Sequence, residues 1–493
     1  MSTPTISPGG QFNQSGIGYW MERVLLEREK VQADPSSDPV HDLRVALRRC
    51  RSLAETMSEL DPEPAWKQMR KAGKQLFKAL GRLRDTHVLI EWTEKLADTE
   101  SHSKAELLAH FGAEEAALKQ ELMPVVSNFD VPQWEQWQQL LSQRATQVRV
   151  GSLAFQHMAL EKWMAARDLH RVALRNRSKV SWHQLRIGIK RLRYTLENFV
   201  PALHSQCAAD LKAMQDLLGD VHDLDVLWET ALKSGALPTA EDRRFWRARI
   251  THKRNELIGK YRERMVGEGS LWQVWREGLP DGVQLERAGM AKVQAWSQYR
   301  DPRPQHSKRV QQIALGLYDQ LARLGMIRND DRRYRSVLAA AALMHDVGRW
   351  AAKSNHHKKS YKLIMKFPHP LSWEPEMINV AAFLARYHRG SLPQTNHRAF
   401  RGLRADQRRL ALFLAGILRI SDATEVDNGT AAPRIRAELA PGIVRLLIPD
   451  FNPLSSKAAS VALAKHMLES ACKKPMLVKS VKPERSNSLA SPA

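Results

Sequence analysis

The feature that most constrains this chain is a repeat within it. His41-Asp-Leu-Arg44-Val-Ala-Leu-Arg48-Arg49-Cys-Arg51 returns as His183-Gln-Leu-Arg186-Ile-Gly-Ile-Lys190-Arg191-Leu-Arg193. The His, the Leu and all four basic positions recur in register. A second element follows each copy. Leu80-Gly81-Arg-Leu-Arg-Asp85-Thr-His-Val88-Leu89 matches Leu218-Gly219-Asp-Val-His-Asp223-Leu-Asp-Val226-Leu227. It follows by 40 residues in one copy (41 to 81) and by 36 in the other (183 to 219). Two elements repeated in one order imply a duplicated supersecondary unit.

Local patterning makes that unit helical. Segments such as AWKQMRKAGKQLFKALGRLRD and DVPQWEQWQQLLSQRATQV space their apolar residues near the helical period. The convincing strand signal comes late, where IRAEL and IVRLLI flank APG at 440–442 and read as a hairpin. The expected fold class is mainly α. A duplicated helical-bundle domain is followed by a second all-helical domain with a small C-terminal β hairpin.

With 493 residues the chain is too long for one ordinary core. The Gly/Pro-punctuated stretch GEGSLWQVWREGLPDG, from Gly267 to Gly282, is the best boundary. The division read from the sequence is a disordered tail at 1–16 and a repeat domain at 17–270, with copies at about 17–150 and 151–270. A linker at 271–294, a second domain at 295–479 and a disordered tail at 480–493 complete it.

On a helix turning about 100° per residue, His41, Arg44, Arg48 and Arg51 share a sector of roughly 80°. Leu43 and Leu47 face the other way, toward a core, and Arg49 points elsewhere. His183, Arg186, Lys190 and Arg193 form the same sector in the second copy. The sector is read as holding no acidic residue three or four positions away, so its like charges repel. Lys67, Arg70, Lys71, Lys74 and Lys78 add basic positions downstream. The net charge of the whole chain is +23. A polyanion would relieve this repulsion, and guanidinium forks match phosphate oxygens. A solvated charged face is the alternative. His41 and His183 have no acid/base or nucleophile partner at a useful spacing and read as added charge at a helix start.

Other classes are disfavoured. Three scattered cysteines make neither a disulfide framework nor a zinc motif, which fits a reducing compartment. MSTPTISPGGQFNQSG lacks the apolar core of a signal peptide. The runs Val337–Met344 and Leu410–Leu418 fall far short of the roughly 18 residues a span needs. A cytoplasmic protein with no membrane partner is expected.

The repeated H-x-x-R-x-x-x-[RK]-R-x-R and the LG-x-x-x-D-x-x-VL element resemble the CHAD domain, the conserved-histidine α-helical domain, over roughly residues 15–270. The resemblance implies a pseudo-symmetric helical bundle whose basic face binds inorganic polyphosphate. His41, Arg44, Arg48, Arg51, Lys74, His183, Arg186, Lys190 and Arg193 are the residues expected to bind it. The first copy has Arg84 and His87 where the second has His222 and Asp225.

Beyond the boundary, histidines become frequent: His306, His345-Asp346, His356-His357 and His388, followed by Asp422. His and Asp are the usual ligands of a hydrolytic metal centre. In AAALMHDVGRW an apolar helix runs up to His345-Asp346 and stops at Gly348, so the pair can face a site from a helix end. The series resembles the HD phosphohydrolase superfamily. HSKRVQQIALGLYDQL, HHKKSYKLI, ARYHRG and LRISDATEVD narrow it to the C-terminal HD-type domain of exopolyphosphatase/guanosine pentaphosphatase proteins, over roughly 295–475. That family often has His where this chain has Lys359.

The resemblance implies that His306, His345, Asp346 and Asp422 are the primary ligands of a divalent metal (Mg, Mn, Co or Fe). His345 and Asp346 would be the catalytic pair. His357 and His388 would complete a second metal site, and His356 is expected to be an exposed neighbour of His357. Lys353, Lys358, Lys359, Arg386 and Arg389 lie near these positions, with Lys359, Arg386 and Arg389 expected to hold substrate phosphates. The function expected is polyphosphate binding joined to metal-dependent hydrolysis of a phosphoester or phosphoanhydride. A phosphorylated nucleotide is a further candidate partner, and polyphosphate granules a candidate location. The alternatives are a non-catalytic polyphosphate scaffold or sensor, and a nucleic-acid-binding protein. Against the last, no recognition motif or aromatic stacking platform accompanies the basic stripes.

Overall fold

The computed structural model describes residues 16–97, 102–328, 333–351, 354–425, 432, 434–449 and 451–481. These carry eighteen helices and three strands. The chain divides into two compact units between Asp281 and Gly282, inside the stretch read as a linker.

The first unit holds α1 (Ile17–Ala33), α2 (Ser37–Leu60), α3 (Pro64–Leu96), α4 (His102–Ser127) and α5 (Val131–Ala145). It continues with α6 (Leu153–Asn176), α7 (Lys179–Phe199), α8 (Pro201–Ser234), α9 (Ala240–Met265) and α10 (Leu271–Glu277). The repeat motifs open α2 and α7, and the second elements lie in the long helices α3 and α8. Packing follows the duplication: α1 on α2, α2 on α3 and α3 on α4 correspond to α6 on α7, α7 on α8 and α8 on α9.

Sequence explains the boundaries. Pro64 and Pro201 occupy first-turn positions, where the missing N–H costs nothing. Ser178 accepts from Ser181 N to cap α7, and Gly235, at φ +76°, ends α8 in the left-handed region. Leu43 and Leu47 are fully buried, as their side of the wheel requires. The two halves share a core in which Leu89, Leu96, Leu107 and Phe111 meet Val221, Leu224, Leu227 and Trp246.

The second unit holds α11 (Gly282–Gln298), α12 (Pro304–Arg323), α13 (Tyr334–Met344), α14 (His356–Ile364), α15 (Met377–Tyr387), α16 (Arg398–Arg401) and α17 (Ala405–Thr424). β1 (Arg436–Ala440), β2 (Ile443–Pro449), α18 (Ser456–Cys472) and β3 (Met476–Val481) follow. Helix α13 is apolar on all sides, with Val337 to Met344 buried, and α11, α12, α15 and α17 pack around it.

The expected hairpin is present: β1 and β2 pair antiparallel, with Ala440 opposite Ile443 and Gly442 at φ +75° in the turn. A strand not expected from the sequence joins it. β3 runs parallel to β2, after α18 has crossed over. Ser480 and Val481, which were expected to begin a tail, are the last two residues of that strand. The rest of both tails lies outside the described residues.

Candidate functional site

In the first unit, α2 packs on α7 and α3 on α8, so the two basic stripes meet. The helices are joined by reciprocal ion pairs. Arg49 of α2 meets Glu197 of α7, and Arg191 of α7 lies 3.3 Å from Glu55 of α2. Arg49 and Arg191 are equivalent positions of the repeat, as are Glu55 and Glu197. Arg49 is buried and also lies over the rings of Tyr194 and Trp20, at 5.0 and 5.2 Å. Its divergence from the stripe is thus an interior role.

The expectation that the sector holds no acidic residue is corrected. Glu55 and Glu197 lie four residues after Arg51 and Arg193, on the same face, and Glu197 stands 3.9 Å from Arg193. Asp85 also reaches Arg44 at 3.6 Å from α3. The helix pair needs these carboxylates because its guanidinium groups are crowded and partly desolvated.

Arg44, Arg48, Arg186 and Lys190 form one electrostatic group drawn from both copies. Burial, and after it Arg186 and Arg84, hold Arg44 below its ordinary pKa, against Asp85. Burial lowers Arg48 as well, with Arg44, Arg49 and Arg186 adding to the effect. Burial together with Arg186 and Arg48 brings Lys190 down to about 7. Within the group, burial raises Asp223 to about 6. These cations raise one another's energy, and an added polyanion is the partner that lowers it.

The flanking positions differ between copies. His183 Nδ1 lies 3.3 Å from His222 Nδ1, and burial, with Arg186 next, lowers His222 to about 4. His41 stands at the surface, and partial desolvation of its ring and then Arg84 lower its pKa. The Phe77 ring lies under two guanidinium groups, 5.1 Å from Arg44 and 5.0 Å from Arg51. Arg51 also donates to Arg70 O at 3.1 Å. Arg193 turns toward Glu197, and Lys74 is exposed on α3.

In the second unit, helix ends deliver the histidines and aspartates to one place. His345 and Asp346 follow α13, His306 lies in the first turn of α12, His356 and His357 open α14, His388 follows α15 and Asp422 is near the end of α17. Gly348 makes the approach of α14 possible: a Cβ there would stand 2.6 Å from His356 O. Gly348 N donates to the buried Ser360 Oγ at 2.9 Å, fixing the same junction.

Three imidazoles have Nδ1 engaged away from the centre. His345 Nδ1 lies 2.7 Å from Ala342 O, His388 Nδ1 2.8 Å from Ala385 O, and His306 Nδ1 2.7 Å from Glu425 Oε2. Such anchoring leaves Nε2 as the inward atom. His306 Nε2 lies 3.1 Å from Asp422 Oδ1 and 3.3 Å from His345 Nε2. Asp346 divides its oxygens: Oδ2 accepts from Arg303 at 2.7 Å, while Oδ1 faces His356 Nε2 at 3.0 Å. His388 Nε2 is 3.3 Å from His356 Nε2.

Two sets of ligand atoms lie within 4.8 Å of one another, His306-His345-Asp346 and Asp346-His356-His388, and they share Asp346. Burial opposes the charged form of Asp346, but His345, His356 and Arg303 outweigh it and hold the carboxyl far below its usual range. Asp422 is held low in the same way, by His306 and His345. Burial alone would discharge His345, yet Asp346 and Asp422 raise it to about 9. Burial, with His345, lowers His388 to about 3. Ionised carboxylates among anchored imidazoles are a donor set that fits a divalent cation.

His356 is corrected: it is fully buried and lies in the cluster, because Gly348 lets the first turn of α14 come against Asp346. His357 lies outside both sets, its ring 6.4 Å from that of His388. Lys358, Lys359 and Arg389 are exposed and Arg386 is half-buried, while Lys353 lies outside the described residues. Sequence reasoning missed Glu425 and Arg303, although each lies three residues from a cluster residue, one helical turn from Asp422 and His306. Glu425, with its side chain 2% exposed, also accepts from Arg309 Nε.

The fold is that of a two-unit helical protein with one basic site and one His/Asp site. Residues 21–232 match the CHAD domain, and residues 301–428 match Ppx/GppA phosphatase, domain III. No curated protein compared with the chain matches it. The chain joins a CHAD domain to a Ppx/GppA-like domain III. CHAD domains are associated with polyphosphate binding, so the pairing points to a polyphosphate-related function, and the second domain to divalent-metal dependence. Among the described residues, no helix is long and apolar enough to cross a membrane.

Proposed function

We propose that the protein binds inorganic polyphosphate on its first unit and that its second unit is a metal-dependent phosphohydrolase acting on a phosphoester or phosphoanhydride. Polyphosphate is the main ligand and a phosphorylated nucleotide the second candidate substrate. A cytoplasmic location, with association with polyphosphate granules, belongs to the same proposal.

The observation that carries the hydrolase reading is the pair of ligand sets sharing Asp346. His306, His345, Asp346 and Asp422 would hold one cation, and His356 and His388 would extend the site from the other side of Asp346. A divalent cation supplies Lewis acidity toward a phosphoryl oxygen and toward water. The chain's own residues do the rest. Arg303 and Arg349 hold Asp346 by Oδ2, at 2.7 and 3.4 Å, and keep Oδ1 turned inward. Glu425 and the carbonyls of Ala342 and Ala385 hold the imidazoles in one orientation. Lys359, Arg386 and Arg389 would neutralise substrate phosphate.

On the first unit, Arg44, Arg48, Arg186 and Lys190 would take successive phosphates, with His41, Arg51, Lys74, His183 and Arg193 on the flanks. The test is phosphate release from polyphosphate and from a nucleotide panel, with Mg, Mn, Co or Fe supplied in turn. No metal-dependent release from any substrate would leave a binding protein without turnover. Tighter binding to RNA than to polyphosphate at equal salt would overturn the choice of polyanion.

A further inference from the structure

The charge of this chain is not where the repeat would put it. Residues 282–493 hold 35 Lys and Arg against 16 Asp and Glu, so the second unit carries +19 of the net +23. An excess of that size on one unit calls for an anionic partner of its own. Acids of the unit are engaged with other cations: Asp319 pairs with Arg335, Asp346 with Arg303, Glu374 with Arg333, Asp406 with Arg404, Glu425 with Arg309 and Glu469 with Lys465.

Helix α14 carries part of the excess with nothing to answer it. Lys358, Lys359 and Lys362 are exposed and share a sector of roughly 100° on the helical wheel. His356, His357, Ser360 and Ile364 fill the opposite, buried side. Lys366 is exposed in the turn that follows, where its N–H donates to Leu363 O at 3.1 Å. Among the described residues, none of these four lysines has an ion pair. Like charges one helical turn apart repel.

The row has a direction. His356, in the first turn, faces Asp346 Oδ1 with Nε2 at 3.0 Å. A Cβ at Gly348 would stand 2.8 Å from Lys359 Cβ, so this end of α14 lies against the corner that carries Asp346. Lys358, Lys362 and Lys366 then follow four residues apart, about 6 Å of helical rise per step. Separate ammonium charges in solvent, each without a fixed fork, suit a flexible chain of repeated phosphates better than one phosphoryl group. No exposed residue of α14 is aromatic, so a nucleic-acid base has no ring to stack on.

We propose that Lys358, Lys362 and Lys366 form a second polyphosphate-binding track, in addition to the basic stripes of the first unit, which runs along α14 away from the His/Asp site and makes the second unit prefer long phosphate chains. The track deepens the phosphohydrolase reading and rests on it only for what the bound chain is there to do.

The test measures binding of long-chain polyphosphate and of tripolyphosphate to the full-length protein by calorimetry at several salt concentrations. An Arg44→Ala/Arg186→Ala background weakens the first unit, so that the remaining binding reports the second. Into it are placed Lys358→Gln/Lys362→Gln/Lys366→Gln, the same three positions changed to Arg, and a control, Arg323→Gln/Arg434→Gln/Lys479→Gln, which removes equal charge from exposed sites elsewhere on the unit. Melting temperatures confirm folding. Should the background fail to fold, the salt slope in an otherwise wild-type chain makes the same comparison. The expected result is that the Gln track variant weakens long-chain binding by about tenfold and lowers the salt slope by about two. Tripolyphosphate should lose less, the Arg version should bind like the background, and the control should change by less than about twofold. Unchanged long-chain binding in the Gln track variant, or an equal loss in the control, would overturn the proposal. Single-stranded RNA bound more tightly than polyphosphate at equal salt, with the same dependence on the three lysines, would overturn the choice of chain. A wild type that releases no phosphate with any metal would defeat the hydrolase reading while leaving the binding comparison decisive for the track.

Discussion

Arg191 on α7 reaches Glu55 on α2 at 3.3 Å, and the equivalent pair, Arg49 and Glu197, makes the same contact in the opposite direction. The duplication has thus built its own clamp. Each copy gives one cation and one carboxylate, and the two contacts fix the helices that carry the basic stripes.

The two halves of the clamp differ in burial, which sets the first prediction. The Arg49 side chain is 11% exposed and that of Arg191 is 58% exposed. Arg49→Ala leaves Glu197 poorly compensated and should cost about 2 kcal/mol of stability, against about 0.5 kcal/mol or less for Arg191→Ala. Denaturant unfolding measures both. Polyphosphate affinity should fall less with Arg49→Ala than with Arg44→Ala or Arg48→Ala. Each of the latter two should reduce the salt dependence of binding by roughly one phosphate contact.

A glycine keeps space for Arg44. A Cβ at Gly81 would collide with Arg44 Nη1, whereas one at Gly219 would meet Arg186 Nε only at 4.0 Å. The obstructed atom ends a flexible side chain, so Gly81→Ala should move the guanidinium without disturbing α3. Polyphosphate affinity should drop by about fivefold with an unchanged melting temperature, and Gly219→Ala should leave it near wild type. Equal effects at the two positions would mean that Arg44 has no special place in the site.

The Phe77 ring braces Arg44 and Arg51 together. Phe77→Leu keeps an apolar side chain but removes the quadrupole, and should cost about 1 kcal/mol of polyphosphate binding. Phe77→Tyr should restore most of it. Binding calorimetry on the two variants separates a positioning ring from simple packing.

Binding should also respond to pH. Lys190 has its pKa brought down to about 7 by burial and by Arg186 and Arg48. A bound polyanion favours the charged ammonium and raises that pKa. The Lys190 contribution is therefore fully present below the free pKa and is lost as pH rises through the bound one. Asp223, raised to about 6 by burial, acts in the same direction, since its protonation removes a negative charge. Affinity should rise as pH is lowered from about 8 to about 6. Lys190→Arg should flatten the upper part of the profile.

Much of this architecture was legible in the sequence because it repeats or has a period. The duplicated motif placed α2 and α7, and the helical wheel separated buried Leu43 and Leu47 from the stripe and set Arg49 apart from it. The wheel also held Glu55 and Glu197, but carboxylates after the motif's last Arg were easy to pass over. At the His/Asp site, the end of an apolar helix beside His345-Asp346 was readable from Gly348. The choice between His356 and His357 was not, since it depends on how closely the first turn of α14 approaches Gly348. Glu425 escaped notice because its role is to hold His306. β3 escaped notice because MLVKSV is a single short run with no adjacent hairpin partner, and β2, with which it pairs, lies across a helix.

The central claim is that His345 and Asp346 hold a metal that serves phosphate chemistry. Its most direct test is the metal content of purified wild-type protein and of the His345→Ala/Asp346→Ala variant, followed by phosphate release from polyphosphate with that metal supplied. The account predicts bound divalent metal and metal-dependent release for wild type, and neither for the variant, which should still bind polyphosphate through its first unit. Equal metal content in the two proteins would contradict it.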